Sequence, residues 1–418
     1  MNALIANSHS SATARTAEKV LPGSRAFKVM HVVNQLAVGG TEKNVLKVAT
    51  KLTEGLEHCV YCIRGFDASL VADELRPEQV IALNLPKAPF SFFVPKLVRA
   101  IRECKPDIVH SRNWGAIESV LAARIAGVPV AIHSEHGYEV DSVTRTPLRQ
   151  RWMRKLVVAT ADAVFAVSRE LRDFHARQAG VPEERVRVLY NGVDTERFSP
   201  NPIVREQTRA ALGLSHRDFV IGAVGRMVPI KDYDTLIKAA SALHRKDRTF
   251  KLLLLGDGPE LPRLVDLAQN LIGTGGFISP GRCQNVPEML TAMDVFVQTS
   301  LNEGMSNTIL EAMATGLPVV ATRVGGNTEI VEEGKTGWMF RPGDAEHLRE
   351  IIFDIATDAE AREMTGHAAR QRVHDQFSDE LMLENYRDLY VELLRKRNLN
   401  VGWLPGRADV HCSGSVRP

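Results

Sequence analysis

Short apolar runs recur along this chain, most of them followed by a stretch with helical spacing, and the series restarts once after an interruption, without a strong internal repeat. Runs at Lys28–Asn34, Glu57–Ile63, Asp107–His110, Val128–His133, Ala163–Val167 and Val186–Leu189 read as strands. Helical patterns at Thr41–Leu52, Val94–Glu103 and Ala116–Ala126 lie between several of them. Strands joined through helices re-enter a sheet in parallel, so the series predicts an α/β domain with a mostly parallel sheet. The pattern weakens over Thr195–Gln207, which contains Pro200 and Pro202, and then restarts. Strand-like runs follow at Phe219–Gly225, Phe250–Gly256, Val295–Thr299, Pro318–Thr322 and Gly337–Phe340. Helical patterns follow at Asp232–Leu243, Pro259–Leu271, Ser306–Thr315, Asn327–Glu333 and, mainly, Ala345–Phe377.

Two α/β domains of nearly equal size are therefore expected, at 27–200 and 201–377, with a cleft and ligands at the carboxyl ends of their strands. A last helix, 378–397, is a candidate to pack back on the first domain. Residues 1–26 are rich in Ser, Ala and Thr and lack the apolar segment of a signal peptide, so they read as a loose leader. Residues 398–418 read as a loose tail. The length of 418 residues allows two or three domains, and the repeated pattern selects two.

Composition narrows the function. The chain is 44% hydrophobic and 24% charged, as in an ordinary globular protein. Its 52 Lys and Arg against 50 Asp and Glu leave +2, which argues against a nucleic-acid coat. Five cysteines are too few for a disulfide framework and fit a reducing, cytoplasmic setting. Cys59-Val60-Tyr61-Cys62 has metal-ligand spacing, but it lies in an apolar run without a second pair, so core packing is preferred to zinc or redox chemistry. No apolar run reaches about 18 residues, so no transmembrane helix is expected.

Three constellations carry chemistry. Gly39-Gly40-Thr41-Glu42 follows the first strand and opens a helix, where glycines admit a phosphate close to the backbone; a tight turn with a helix cap is the plain alternative. Gly225-Arg226 ends a strand, with Lys231 five residues on, and two cations there can neutralise a diphosphate; a solvated loop is the alternative. Glu303-Gly304-Met305-Ser306-Asn307 precedes a helix in which Glu311 sits among Ile309, Leu310, Ala312 and Met313. A carboxylate in such surroundings is costly unless it accepts hydrogen bonds, as from sugar or ribose hydroxyls; a structural ion pair is the alternative.

These elements, with His136-Gly137, Asn191-Gly192-Val193-Asp194, Leu255-Gly256-Asp257-Gly258-Pro259, Gly325-Gly326 and Gly334-Lys335-Thr336-Gly337, cover about 27–390. In this order they resemble the retaining glycosyltransferases of family GT4, most of all those of bacterial exopolysaccharide clusters. The resemblance implies two Rossmann-like domains facing across a cleft, the GT-B arrangement. It implies a nucleotide diphosphate sugar as donor, UDP-sugar or GDP-sugar, and a saccharide or lipid-linked saccharide as acceptor, with no cofactor or metal required. Gly39 and Gly40 would lie against the diphosphate, and Arg226 and Lys231 would hold it. Glu311 would accept from the ribose. Glu303 would hold a sugar hydroxyl near the reacting carbon. The backbone of Met305, Ser306 and Asn307 would line sugar and phosphate. Family members often carry Phe-Gly where Met305-Ser306 stands here, so donor identity is not transferred. His136 would face the reacting sugar, and His110, Arg112, Asn113 and His133 would form the acceptor side. His110 and His133 can also be read as satisfied polar groups at the ends of core strands.

Arg226, Lys231 and helix N-termini would offset charge on the leaving phosphate while the acceptor attacks from the same face. Arg145, Arg149, Arg151, Arg154 and Lys155, interleaved with Trp152, Met153 and Leu156, form a basic run downstream of Phe90, Phe92 and Phe93. They would bring the first domain to an anionic membrane, or simply form a solvated helix face and core aromatics. Nucleic acid is not an expected partner. A sugar-nucleotide isomerase or hydrolase, and a non-catalytic sugar-nucleotide-binding subunit, are the alternative readings.

Overall fold

The structure, a computed structural model, describes residues 25–36, 39–71, 75–86, 90–138, 147–401 and 404. Most of the expected leader and tail lies outside these residues.

The first sheet contains β1 (Phe27–Leu36), β2 (Leu56–Phe66), β3 (Val80–Ala82), β4 (Ile108–Arg112), β5 (Val130–Glu135), β6 (Ala163–Ala166) and β7 (Arg187–Val188). Their order is β3-β2-β1-β4-β5-β6-β7, and every pairing is parallel. The second sheet contains β8 (Phe219–Val224), β9 (Phe250–Leu255), β10 (Phe277–Gly281), β11 (Val295–Gln298), β12 (Val319–Thr322) and β13 (Gly337–Phe340). It runs β10-β9-β8-β11-β12-β13, again all parallel. Strand order reverses between β1 and β4 and between β8 and β11. Loops diverge at such a switch point and leave a crevice outside the carboxyl ends.

The central strands are buried on both faces, which is why they stand out as apolar runs. The two strands absent from the sequence reading, β3 and β10, are edge strands. One is three residues long and the other contains Pro280, which an edge tolerates because one side of its ladder is unpaired. The weak pattern around Pro202 is resolved differently from a plain linker. Pro202 is the first residue of a helix, Pro202–Ala211, where its missing N–H costs nothing, and the Asn201 side chain caps that helix by accepting from Val204 N. The long segment after Ala345 is two helices, Ala345–Thr357 and Ala359–Gln376, parted at Asp358, whose carboxylate accepts from Ala361 N.

The helix Asp379–Lys396 follows the second sheet in the chain but buries Met382, Tyr386, Leu389, Tyr390, Leu393 and Leu394 against Phe27, Val29, Ile108, Val130, Ile132 and Phe165 of the first. Val401 and Leu404 join the same cluster, so the start of the expected loose tail is packed. At the other end Arg25, within the expected leader, pairs with Asp107 at 2.6 Å.

The chain thus crosses between the sheets twice, and the crossings lie side by side. Val193 N donates to Phe377 O at 2.9 Å, and Asp379 N donates to Val193 O at 3.0 Å. Asp379 is 1% exposed; Lys47 Nζ lies 2.5 Å and Lys51 Nζ 3.2 Å from its oxygens. A buried carboxylate needs such partners, and removing it takes the counter-charge from Lys47, while Lys51 keeps Asp194 at 2.9 Å. Asp379→Ala should lower stability by about 2 kcal/mol, the lysines being partly solvated. A urea midpoint equal to that of the unsubstituted protein would refute this.

Candidate functional site

The loops after β1, β4, β5, β8 and β11 converge at the two switch points. After β1, Gly39 precedes the helix Gly40–Lys51. A side chain on Gly40 would meet the Asn307 amide at 3.1 Å, and Asn307 Nδ2 donates to Gly40 O at 3.2 Å. Asn307 opens the helix Asn307–Ala314, capped by Ser306 Oγ, which accepts from Ile309 N. The contact continues as an amide chain: Asn44 Nδ2 to Asn191 Oδ1 at 2.6 Å, and Asn191 Nδ2 to Asn307 Oδ1 at 2.9 Å. Met305 is buried, and its sulfur lies 3.3 Å from Asn191 N. A β-carbon on Gly304 would come 2.6 Å from His136 O and 3.0 Å from Gly137 Cα. The loops after β5 and β11 are therefore in direct backbone contact.

The carboxylates and cations are arranged in pairs. Lys231 Nζ lies 2.6 Å from Glu303 Oε2. The same oxygen accepts from Gln298 Nε2 at 2.9 Å and Ser300 Oγ at 3.1 Å. All three bonds fall on Oε2. The Glu303 backbone is held from behind by Gly326 N, which donates to Glu303 O at 3.2 Å. Gly325 sits at φ +50, and a β-carbon there would lie 1.7 Å from Glu303 O, so only glycine fits. Glu311 is buried. Its Oε1 lies 3.5 Å from Lys43 Nζ of the first domain, and its Oε2 has no hydrogen-bond partner among the described residues. Arg226 is exposed. It acts electrostatically on Glu42, whose carboxyl is raised by burial and partly brought back by Arg226.

The structure brings Gly40, Met305, Ser306, Asn307 and Glu311 together at one contact, and Lys231 with Glu303 at a second. The linear sequence signals no role for Lys43, Asn44 or Asn191, and Glu42 stands out in it only as part of a glycine motif. Lys43 and Asn44 adjoin that motif and Asn191 begins Asn191-Gly192, but nothing in a linear pattern signals a partner more than 100 residues away.

Asn113 ties three loops together. Its Oδ1 accepts from His136 N at 2.7 Å, and its Nδ2 donates to Thr41 Oγ1 at 3.4 Å, with the backbone at φ +58. The other residues expected on the acceptor side are elsewhere. His110 is 0% exposed, with Nδ1 2.8 Å from Tyr390 Oη and Nε2 2.9 Å from Ser134 Oγ. Both ring nitrogens are occupied in the core, so His110 has no surface to offer an acceptor. That corrects the expectation in favour of a satisfied core histidine. Arg112 is buried with Nη1 2.7 Å from His31 Nδ1. His133 is buried on the other face of β5, bonded to Ser111 Oγ at 2.7 Å and 3.3 Å from Glu135. Neither lies open to the cleft, because side chains on a strand buried on both faces point into one layer or the other. His136 Nε2 is 2.9 Å from Ser134 Oγ, and its Nδ1 has no partner among the described residues.

Burial lowers the basicity of this histidine layer. His136 is pushed down to about 3, by burial first and the Arg112 guanidinium second. His58, 2.8 Å from His31, falls to about 4 from burial, while His31 and His110 lie well below the ordinary range for the same reason. Among the described residues, no group of three His, Cys, Asp or Glu side chains is placed to hold a metal ion.

Two parallel α/β domains whose strand ends meet across a cleft define the GT-B class of transferases. Comparison with known proteins agrees. Residues 38–197 match the family described as Glycosyltransferase Family 4, and residues 204–372 match Glycosyl transferases group 1. The chain is 30% identical to glycosyltransferase EpsF of Bacillus subtilis over 304 residues, 70% of this chain and 78% of that protein. It is 26% identical to the UDP-Gal:alpha-D-GlcNAc-diphosphoundecaprenol alpha-1,3-galactosyltransferase of Escherichia coli over 359 residues, 79% of this chain and 90% of that one. In fold it is similar to Anabaena HepE, whose crystal structure contains UDP and glucose, at TM-score 0.77 and 22% identity, covering 88% of this chain and 100% of HepE. The chain belongs to the family 4 glycosyltransferases, and it is a glycosyltransferase.

The buried neutral histidines have a measurable consequence. Each has a folded-state pKa below its unfolded value near 6.5, so the unfolded chain binds protons first as pH falls. Stability is fully present above pH 6.5 and is lost on acidification. The thermal midpoint should fall between pH 6.5 and 5.5, a window in which ordinary carboxylates titrate little. A midpoint unchanged across that window would contradict the neutral, desolvated layer.

Proposed function

We propose that this glycosyltransferase moves a sugar from a nucleoside diphosphate sugar to a saccharide or lipid-linked saccharide acceptor, with retention of configuration, in the synthesis of a surface polysaccharide. The observation that carries the donor assignment is Glu311 Oε2, a buried carboxylate oxygen that has no hydrogen-bond partner among the described residues and lies in a layer of apolar side chains. Paired ribose hydroxyls supply the donors such an oxygen needs. Gly39, Gly40 and the N-terminus of the helix Asn307–Ala314 would take the diphosphate, with Arg226 and Lys231 offsetting its charge as the glycosidic bond breaks. Glu303, its Oε2 already held by Lys231, would orient a sugar hydroxyl, and His136 would face the reacting carbon from the first domain. Asn113 would stand on the acceptor side. The relatives' names and the UDP in HepE make a UDP-sugar the first donor to test, with a GDP-sugar second.

The acceptor side has a candidate membrane contact. Among the described residues, no helix is long and apolar enough to cross a membrane. On the helix Leu148–Thr160, however, Leu148, Trp152 and Leu156 recur every fourth residue and are 73%, 70% and 44% exposed. Arg149, Arg151 and Lys155 are exposed beside them, with Lys155 Nζ 5.9 Å from the Trp152 ring centroid. Such a face suits the headgroup region of an anionic cytoplasmic leaflet. Arg154 does not belong to it: its side chain is buried, with Nε 3.2 Å from His175 Nδ1. Phe93 is buried too, while Arg145 and the side chains of Phe90 and Phe92 lie outside the described residues.

A panel of sugar nucleotides with an extracted lipid-oligosaccharide acceptor, read by product mass, tests the reaction. Product is expected only when acceptor is present; donor change without it would favour an isomerase or hydrolase. Arg226→Ala and Glu311→Gln should each reduce kcat/KM for the donor by about tenfold or more, the value of one charge-assisted hydrogen bond. For the exposed Arg226 the unfolding midpoint should stay put, and unchanged donor kinetics would defeat the assignment. Trp152→Ala should weaken sedimentation with anionic vesicles by about tenfold, while neutral vesicles bind neither protein.

A further inference from the structure

We propose that Cys59 and Cys104 form a redox-modification site, a dithiol that a small disulfide such as glutathione disulfide closes reversibly, pinning a helix of the first domain to its sheet. Their sulfurs lie 3.5 Å apart, joining β2 to the last residue of the helix Phe90–Cys104 although the two cysteines are 45 positions apart in the chain. Both side chains are half-buried, and both remain within reach of a small solute.

The Cys59-Val60-Tyr61-Cys62 spacing points to a different pair, which strand geometry rules out. Residues three apart on a strand face opposite sides of the sheet. Cys59 and Cys104 pack against the core on the side of the helix Phe90–Cys104. Cys62 is buried on the other side, with Val45, Leu46 and Ala49 of the helix Gly40–Lys51, and burial pushes its thiol up to about 12. Cys62 is therefore an inert core thiol, and the reactive partner of Cys59 comes from another element.

Contact between the two sulfurs favours reaction at Cys104. When one thiol of a touching pair loses its proton, the remaining S–H can donate to the thiolate. That bond is the first cause holding the Cys104 thiol below its ordinary value, against the effect of burial, and Lys28 acts in the same direction. The same bond, and burial after it, raises Cys59. Val29 O, a second acceptor within reach of Cys59 Sγ, is neutral and 3.7 Å away. The negative end of the helix dipole acts against a Cys104 thiolate, but less strongly than a hydrogen bond to a charged group acts for it.

The exchange balances in two steps. The Cys104 thiolate attacks one sulfur of the small disulfide, whose S–S bond breaks and releases a thiolate. Cys59 then loses its proton, its sulfur attacks Cys104 Sγ in the mixed disulfide, and the second small thiol leaves. Two protein thiols are oxidised and one small disulfide is reduced to two thiols. Shortening the contact to a bond of about 2 Å needs about 1.5 Å of movement. Cys104 can supply it, because it ends its helix and the chain turns away at Lys105, whose φ is +51. Cys59 lies near the start of β2 and Cys104 just before β4, so the bond forms at the amino-terminal edge of the sheet. None of the loops that form the cleft lies within the closed ring, and the expected effect is on stability.

Peptide mass analysis of the whole protein, reduced, incubated with glutathione disulfide, blocked and digested, tests this. A Cys59–Cys104 cross-link is expected, with Cys62 and Cys283 blocked as free thiols. The cross-link should raise the thermal midpoint by about 5 °C, dithiothreitol should reverse the rise, and Cys59→Ser should abolish it. In the reduced protein, iodoacetamide should label Cys104 about tenfold faster than Cys62. Glutathione left on Cys59 or Cys104 without a cross-link, a Cys59–Cys62 bond, or two thiols that stay free throughout would each overturn the site. A cross-linked form no more stable than the reduced one would overturn the pinning. The unsubstituted protein alone decides these outcomes, so they do not depend on a variant folding.

Discussion

The double crossing at Val193 and Ser378 is the constraint from which the other contacts follow. The two crossing segments are joined there by a single β-bridge, closed by Asp379 and its two lysines. A β-carbon on Gly192 would stand 2.7 Å from Ser378 O, so the crossings pack backbone to backbone. The arrangement returns the last helix to the first sheet, where Tyr386 and Tyr390 cover a layer of histidines. It also keeps the two sets of strand ends opposite each other. A buried carboxylate shared by two cations is poor at adding net stability but strongly resists rearrangement, which is what a crossing point requires.

Across the cleft, charge is balanced locally. Lys43 reaches Glu311 from the opposite domain, Arg226 acts on Glu42, and Lys231 holds Glu303. The overall charge of +2 therefore says little about the ligand, because the charged groups of the cleft largely cancel before any surface patch is counted. The glycines serve the same end mechanically. Gly304 against His136 and Gly325 against Glu303 are approaches that a β-carbon would block, and they let two loops share the space where the sheets meet.

How much was legible depended on where each element sits. Strands β1, β4, β5, β8, β11 and β12 are buried on both faces and read as apolar runs, while β3 and β10, at the edges, gave no such signal. The pairing of Glu303 with Lys231 could not be read, although both residues stood out, because ion-pair partners are chosen by distance in space. His110 shows the limit most plainly. Its position at the end of an apolar run fits a cleft ligand and a core group equally well, and only Tyr390, 280 residues further on, separates the two.

The amino-acid sequence by itself determined the alternation of strands and helices, the division into two parallel sheets and the glycine and carboxylate motifs at their carboxyl ends. These follow from periodicity and local backbone sterics, which act over a few residues. Tertiary structure alone decided which side chains became partners: Lys43 with Glu311, Asn44 through Asn191 to Asn307, and Tyr390 through His110 and Ser134 to His136. Hydrogen bonds and ion pairs act only over a few ångströms. Their membership is settled after the sheets have formed and the chain has crossed back, when residues distant in sequence are brought within that range.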